Sequence, residues 1–246
     1  MRVLIIAERA NPEMTSVPLV GWSHAQAIKK VCDAHLVTQI RNRDAIVAAG
    51  WVEGKDFTAL DTESLDGPLS RLVQRIRGGS NKGWTLVTAG AGLAYYNFER
   101  VVWQRFGKRI RAHEFDIVHR ITPLSPTIPS LLAKKCVKAK VPFVLGPLNG
   151  GLKWPQGFSD VRWMEREWLS YARGLHRLLP GFSSTRKHAA AILIASRDTW
   201  AQIPPKYHQK SFYIPENGVD PSRFSLSHIK DRSGPLRIVF VGRLVP

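Results

Sequence analysis

Acidic residues are scarce in this chain. Among 246 residues, 19 Asp and Glu face 36 Lys and Arg, a formal net charge of +17. A field of that sign draws polyanions: nucleotide diphosphates, anionic lipid surfaces or nucleic acid. It says nothing about the fold. Cysteine is scarcer still. Cys32 and Cys136 are the two present, both in apolar helical contexts. Two thiols without ligand spacing exclude a disulfide framework and a zinc site, and they read as free buried thiols of a reducing compartment. Long hydrophobic runs are absent too; none approaches the roughly 20 residues that span a bilayer. The opening MRVLIIAERANPE turns polar without a small-residue cleavage site, so it reads as a buried strand and not as a secretory leader. There is no G-x-G-x-x-G fingerprint and no Walker lysine loop, which argues against a dehydrogenase or an NTPase. Glu165 and Glu167 lack an acid/base partner, so a glycosidase pair is excluded. No solenoid or propeller period is visible, and no nucleic-acid-binding motif interleaves with the scattered basic residues.

What is present is ordinary globular material, 44% hydrophobic and 22% charged, long enough to bury a sizeable core. Phe115 to Gly151 organises the rest. An apolar run, Phe115 to Val118, ends on His119. A helical segment follows, then a second apolar run, Pro142 to Leu145, and a loop with Gly146, Asn149, Gly150 and Gly151. Strand, helix, strand at this length is a βαβ unit with a right-handed crossover. Ligands of open α/β sheets collect outside the carboxyl ends of the strands, so His119 and the Asn149-Gly150-Gly151 loop are the first candidate site.

The remaining chain fits the same class. Strands are expected at Arg2 to Ala7, Ala34 to Gln39, Phe57 to Leu60, Ala189 to Ala195 and Ser211 to Ile214. Helices are expected at Trp22 to Val31, Asp44 to Gly50, Pro68 to Arg77 and Leu93 to His113, with a short one capped by Ser196. Gly21 stands just before the first of these, which would leave free N–H groups at Trp22 to His24 to meet an anion. Asp160 to Leu179 reads as a basic amphipathic helix. Met164, Trp168, Tyr171, Leu175, Leu178 and Leu179 share one arc, and Arg162, Arg166, Arg173 and Arg177 the other. It suits either a core face or an anionic membrane surface. Ser225 to Gly234 is polar and linker-like, and Pro235 to Val241 starts a new buried strand.

The ordered set GWSHAQAI, DIVHRITP, VPFVLGPLNGGLKWP, AAAILIAS, YIPENGVDPSRF and IVFVGRLVP resembles family 4 glycosyltransferases, enzymes of the GT-B type with two Rossmann-like domains. The resemblance implies an α/β fold with a Rossmann-like parallel sheet flanked by helices. It implies an N-terminal domain over residues 1–224, a linker at 225–234 and, at 235–246, the first strand of a truncated donor-binding domain. It implies transfer of a sugar from a nucleotide-sugar donor to a glycan or lipid-linked acceptor of the cell envelope. By the same likeness no metal or other cofactor is needed, anomeric configuration is retained, and this chain is the acceptor-side half, expected to be inactive alone.

Carried over by position, His119 is the catalytic candidate. By the same likeness Gly21 and His24 are on the acceptor side and Arg243 meets the donor diphosphate. Arg120, Asn149, Gly150 and Gly151 are further acceptor candidates, the last three through backbone groups or else as a plain turn. Glu216 and Asn217 are donor candidates at the hinge, where Asn217-Gly218 also reads as a tight turn. The double glycine many members carry before the first helix is missing at Gly21. The resemblance places the protein in the cytoplasm, with the inner face of the membrane as a possible surface partner and nucleic acid as none. A different class stays open: a non-catalytic basic module for anionic lipid or nucleic acid, whose signature would be steep salt dependence.

Overall fold

The computed structural model describes residues 1–62, 84–150, 176–218 and 238–239. The chain divides into two compact units, Met1–Glu216 and Asn217–Pro246. The expected helix at Pro68 to Arg77, the linker at 225–234 and almost all of the helix from Asp160 and of the strand from Pro235 lie outside the described residues.

The first unit is a parallel sheet of seven strands in the order β3-β2-β1-β4-β5-β6-β7. The strands are β1 Arg2–Ala7, β2 Asp33–Gln39, β3 Phe57–Leu60, β4 Ile117–Thr122, β5 Phe143–Leu148, β6 Ala191–Ile194 and β7 Ser211–Tyr213. Their order reverses between β1 and β4, as in Rossmann-like doubly wound α/β folds. The described helices are α1 Val17–Val31, α2 Arg43–Ala48, α3 Trp84–Arg111, α4 Leu132–Lys138, α5 Phe182–His188 and α6 Arg197–Gln202. Strand alternation divides the core in two. Val3, Ile5 and Ala7 of β1 pack with Trp22 and Ala25 of α1 and Ile46 of α2. Leu4 and Ile6 pack with Phe98, Val102, Phe106 and Ile110 of α3 and Leu132 and Cys136 of α4.

Several boundaries differ from expectation, each for a local reason. Helix α1 begins at Val17, not Trp22, with Pro18 in its first turn; proline has no N–H to lose there and its φ suits a helix. Gly21 to His24 are therefore inside the helix, and their N–H groups are not the free terminal ones expected. Strand β4 runs to Thr122, so His119 is mid-strand and not at its carboxyl end. The helix α5 has no counterpart in the sequence reading; its N-cap is Gly181, whose φ is 87°. Leu178, expected on the apolar arc of the helix from Asp160, is 78% exposed. Cys136 is buried and free, while Cys32 is free and half-exposed.

Candidate functional site

His119 and Arg120 are neighbours in β4, and alternation sends them to opposite layers. His119 shares its side with Ile117 and Ile121, which pack in the α1 layer. It is 8% exposed. Its Nε2–H donates to the carbonyl of Gly146 at 2.8 Å; a carbonyl can only accept, so the tautomer is fixed and Nδ1 keeps a lone pair. Burial, with the nearby His24 adding to it, pushes the imidazole down to about 4, so it is neutral at physiological pH.

Gly146 is where β5 makes room for this bond. Its φ is 114°, and a Cβ there would fall 2.2 Å from the Leu193 carbonyl oxygen. Only glycine meets both conditions. Gly21 has a comparable steric reason. A Cβ on it would fall 2.0 Å from the Arg9 carbonyl oxygen, and the Arg9 N–H donates to Thr122 Oγ1 at 3.0 Å. Gly21 thus lets α1 close onto the ends of β1 and β4.

The other members converge from far apart in sequence. After β7, the Ile214 N–H donates to Ile194 at 2.9 Å, and the chain turns along the carboxyl edge of the sheet to Glu216. There His24 Nε2–H of α1 donates to the Glu216 carbonyl at 3.0 Å. Asn149, just past β5, donates from Nδ2 to Glu216 Oε1 at 2.8 Å, while its own N–H donates to Leu124 at 2.8 Å. Glu216 Oε2 is buried with no hydrogen bond from the described residues. Gly150, at φ 111°, has open space where a Cβ would be. Its carbonyl accepts from Thr199 Oγ1 at 3.3 Å. His24, Asn149 and Glu216 are therefore linked at the carboxyl edge, Gly150 follows Asn149, and His119, further back along β4, lies near enough to His24 for it to help lower the imidazole. The spare hydrogen-bond acceptors here are Nδ1 of the neutral His119 and Glu216 Oε2.

Arg120 stands apart. It is fully buried, donates to the carbonyls of Ile128 and Pro123 at 2.8 Å each, and lies 5.4 Å from the Tyr95 ring centroid of α3. Gly151 and Arg243 lie outside the described residues, and Asn217 is exposed in the second unit. Among the described residues no three His, Cys, Asp or Glu side chains gather as a metal site.

Sequence reasoning missed Glu99. It is buried in α3, pairs with the Ser130 hydroxyl and accepts the Leu131 and Leu132 N–H groups at 2.6 and 3.3 Å. It therefore caps α4 from another helix, and burial raises its carboxyl above the usual range. Glu8 was missed as well. At the end of β1 it meets Arg41 at 2.5 Å and Arg9 at 3.6 Å. No helix among the described residues is long and apolar enough to cross a membrane. No protein-family model matches the chain, and no curated protein matches it.

Proposed function

We propose that the chain is the acceptor-side part of a glycosyltransferase, moving a sugar from a nucleotide-sugar donor to a glycan or lipid-linked acceptor. It would work in the cytoplasm, against the inner face of the membrane. The observation that carries this reading is a pair of spare acceptors: Nδ1 of the neutral His119, whose Nε2–H is committed to Gly146, and a buried Glu216 oxygen without a donor among the described residues. Such atoms suit a ligand that brings hydroxyl donors, as a sugar does.

Glycosyl transfer builds positive charge on the sugar ring and negative charge on the departing diphosphate. Arginine and lysine can stabilise the latter without a metal, and Arg243 is the residue proposed for it. Neutral His119 would accept a hydrogen bond from a sugar or acceptor hydroxyl through Nδ1. No covalent nucleophile is assigned.

The test is a transfer assay of residues 1–246 with a panel of nucleotide sugars and membrane-extracted acceptors, with calorimetric titration of each donor; as the acceptor-side half the chain should bind acceptor weakly and turn over little. In an enzyme completed with a donor-binding domain, His119→Ala is expected to lower transfer about 100-fold at neutral pH while far-UV circular dichroism stays unchanged. Transfer that survives the substitution removes His119 from the reaction. Tight nucleotide-sugar binding with full transfer by residues 1–246 alone overturns the half-enzyme reading.

A further inference from the structure

The outer surface of α3 and α4 carries a cation cluster that the site does not use. Trp103 of α3 is half-buried, and two cations share its ring: Arg111 at 5.3 Å and Lys135 of α4 at 5.1 Å from the centroid. Lys134 and Lys138 are exposed on α4, one turn apart and so on one face. Among the described residues none of these four cations forms an ion pair; on α3 it is Arg109 that does, with Glu114. Like charges crowded this way repel, and an anionic partner would relieve the repulsion. Between the two lysines Val137 is 46% exposed.

We propose that this α3–α4 face docks on an anionic lipid bilayer. The inference rests on the membrane part of the functional reading and names the surface that would carry it. The mix of residues selects the partner. Lysine stems and a tryptophan ring suit the boundary between headgroups and acyl chains, where an exposed valine is also accommodated. A leaflet of anionic lipid supplies diffuse negative charge over the whole patch. A nucleic-acid backbone would match the cations but has no place for the valine.

The experiment is co-sedimentation of the full chain with phosphatidylcholine vesicles, with and without one-third phosphatidylglycerol. Lys134→Gln/Lys138→Gln is compared with Lys30→Gln/Lys55→Gln, which removes equal charge from exposed positions near the opposite layer. A lysine near an anionic leaflet is worth about 1 kcal/mol, or about 5-fold. The α4 pair should therefore lower partitioning about 25-fold and the other pair less than about 3-fold, with melting temperatures unchanged. Equal losses from both pairs would mean net charge alone acts, and would overturn the assignment of the face while leaving membrane binding intact. Tighter binding to duplex DNA, lost with the same α4 pair, would make nucleic acid the partner and overturn the lipid assignment. Failure of the wild-type chain to bind anionic vesicles would overturn both the face and the membrane reading. The donor titration would still decide sugar transfer.

Discussion

His119 and Arg120 share a strand, a burial class and a place in the chain, yet the layers they face treat them in opposite ways. On the α1 side, His119 is held neutral: burial pushes its imidazole down to about 4, and one nitrogen is committed to Gly146. On the α3 side, Arg120 has two guanidinium nitrogens committed to the carbonyls of Pro123 and Ile128, beside the ring of Tyr95. A second buried arginine, Arg186, donates to Pro126 and Phe182 at 2.6 and 3.2 Å; burial, with Arg120 nearby, lowers it to about 10. The α3 layer uses its charged groups to hold loops and helix ends in place. The α1 layer leaves acceptor atoms spare beside the sheet edge. Buried polarity therefore means structure on one side of β4 and a candidate site on the other.

Removing the charged member should show the larger effect. Arg120→Met keeps the length and apolar stem but leaves two loop carbonyls without donors. Losing bonds to a charged donor in a buried setting costs about 3 to 4 kcal/mol here, read as a lower urea midpoint at neutral pH. A loss under 1 kcal/mol would mean the loop carbonyls find water, and the contrast between the two layers would fail.

The histidine should show itself through pH. The unfolded chain protonates His119 near 6.5, whereas the folded protein resists until about 4. Between those values the unfolded state binds more protons, so stability falls as pH falls. Above 6.5 both states are neutral and the contribution is complete. Integrated over the window, the loss is roughly 3 kcal/mol, at about 1.4 kcal/mol per unit. His119→Phe should flatten that part of the pH–stability curve while changing neutral-pH stability by less. An unchanged slope would mean that other groups set the acid limit.

Much of the sheet was legible because buried parallel strands are short apolar runs. Arg2–Ala7 and Phe57–Leu60 coincide with the observed strands. Ser196 does cap a helix, accepting from the Thr199 N–H at 3.2 Å. The misses share a cause: a polar residue whose role depends on distant partners. Thr122 extends β4 beyond the apolar run by pairing with Ala7, which moves His119 from the strand end to mid-strand. Glu99 looks like one more charged helix residue until α4 is set beside it. The contact of Glu216 with His24 spans nearly the whole unit, so spacing carries no sign of it. Arg120 is an acceptor-side candidate in the sequence, although strand alternation alone sends it to the layer opposite His119.

The smallest effect concerns the link that closes the site. Asn149 reaches the Glu216 side chain, whereas His24 reaches its backbone carbonyl, so the two contacts can be removed separately. Asn149→Ala and Glu216→Ala should each cost about 1 kcal/mol, typical of one partly exposed hydrogen bond. Their double-mutant cycle should return a coupling of about 0.5 kcal/mol or more, beyond the usual limit of additivity. His24→Ala leaves the Asn149–Glu216 side-chain bond in place, so any coupling between His24→Ala and Asn149→Ala must pass through the position of the Glu216 segment itself. Coupling in that second cycle would show the segment from Tyr213 to Glu216 behaving as one body held at two points. Strict additivity would show two independent contacts, and the spare acceptors of the α1 layer would then lack a common frame.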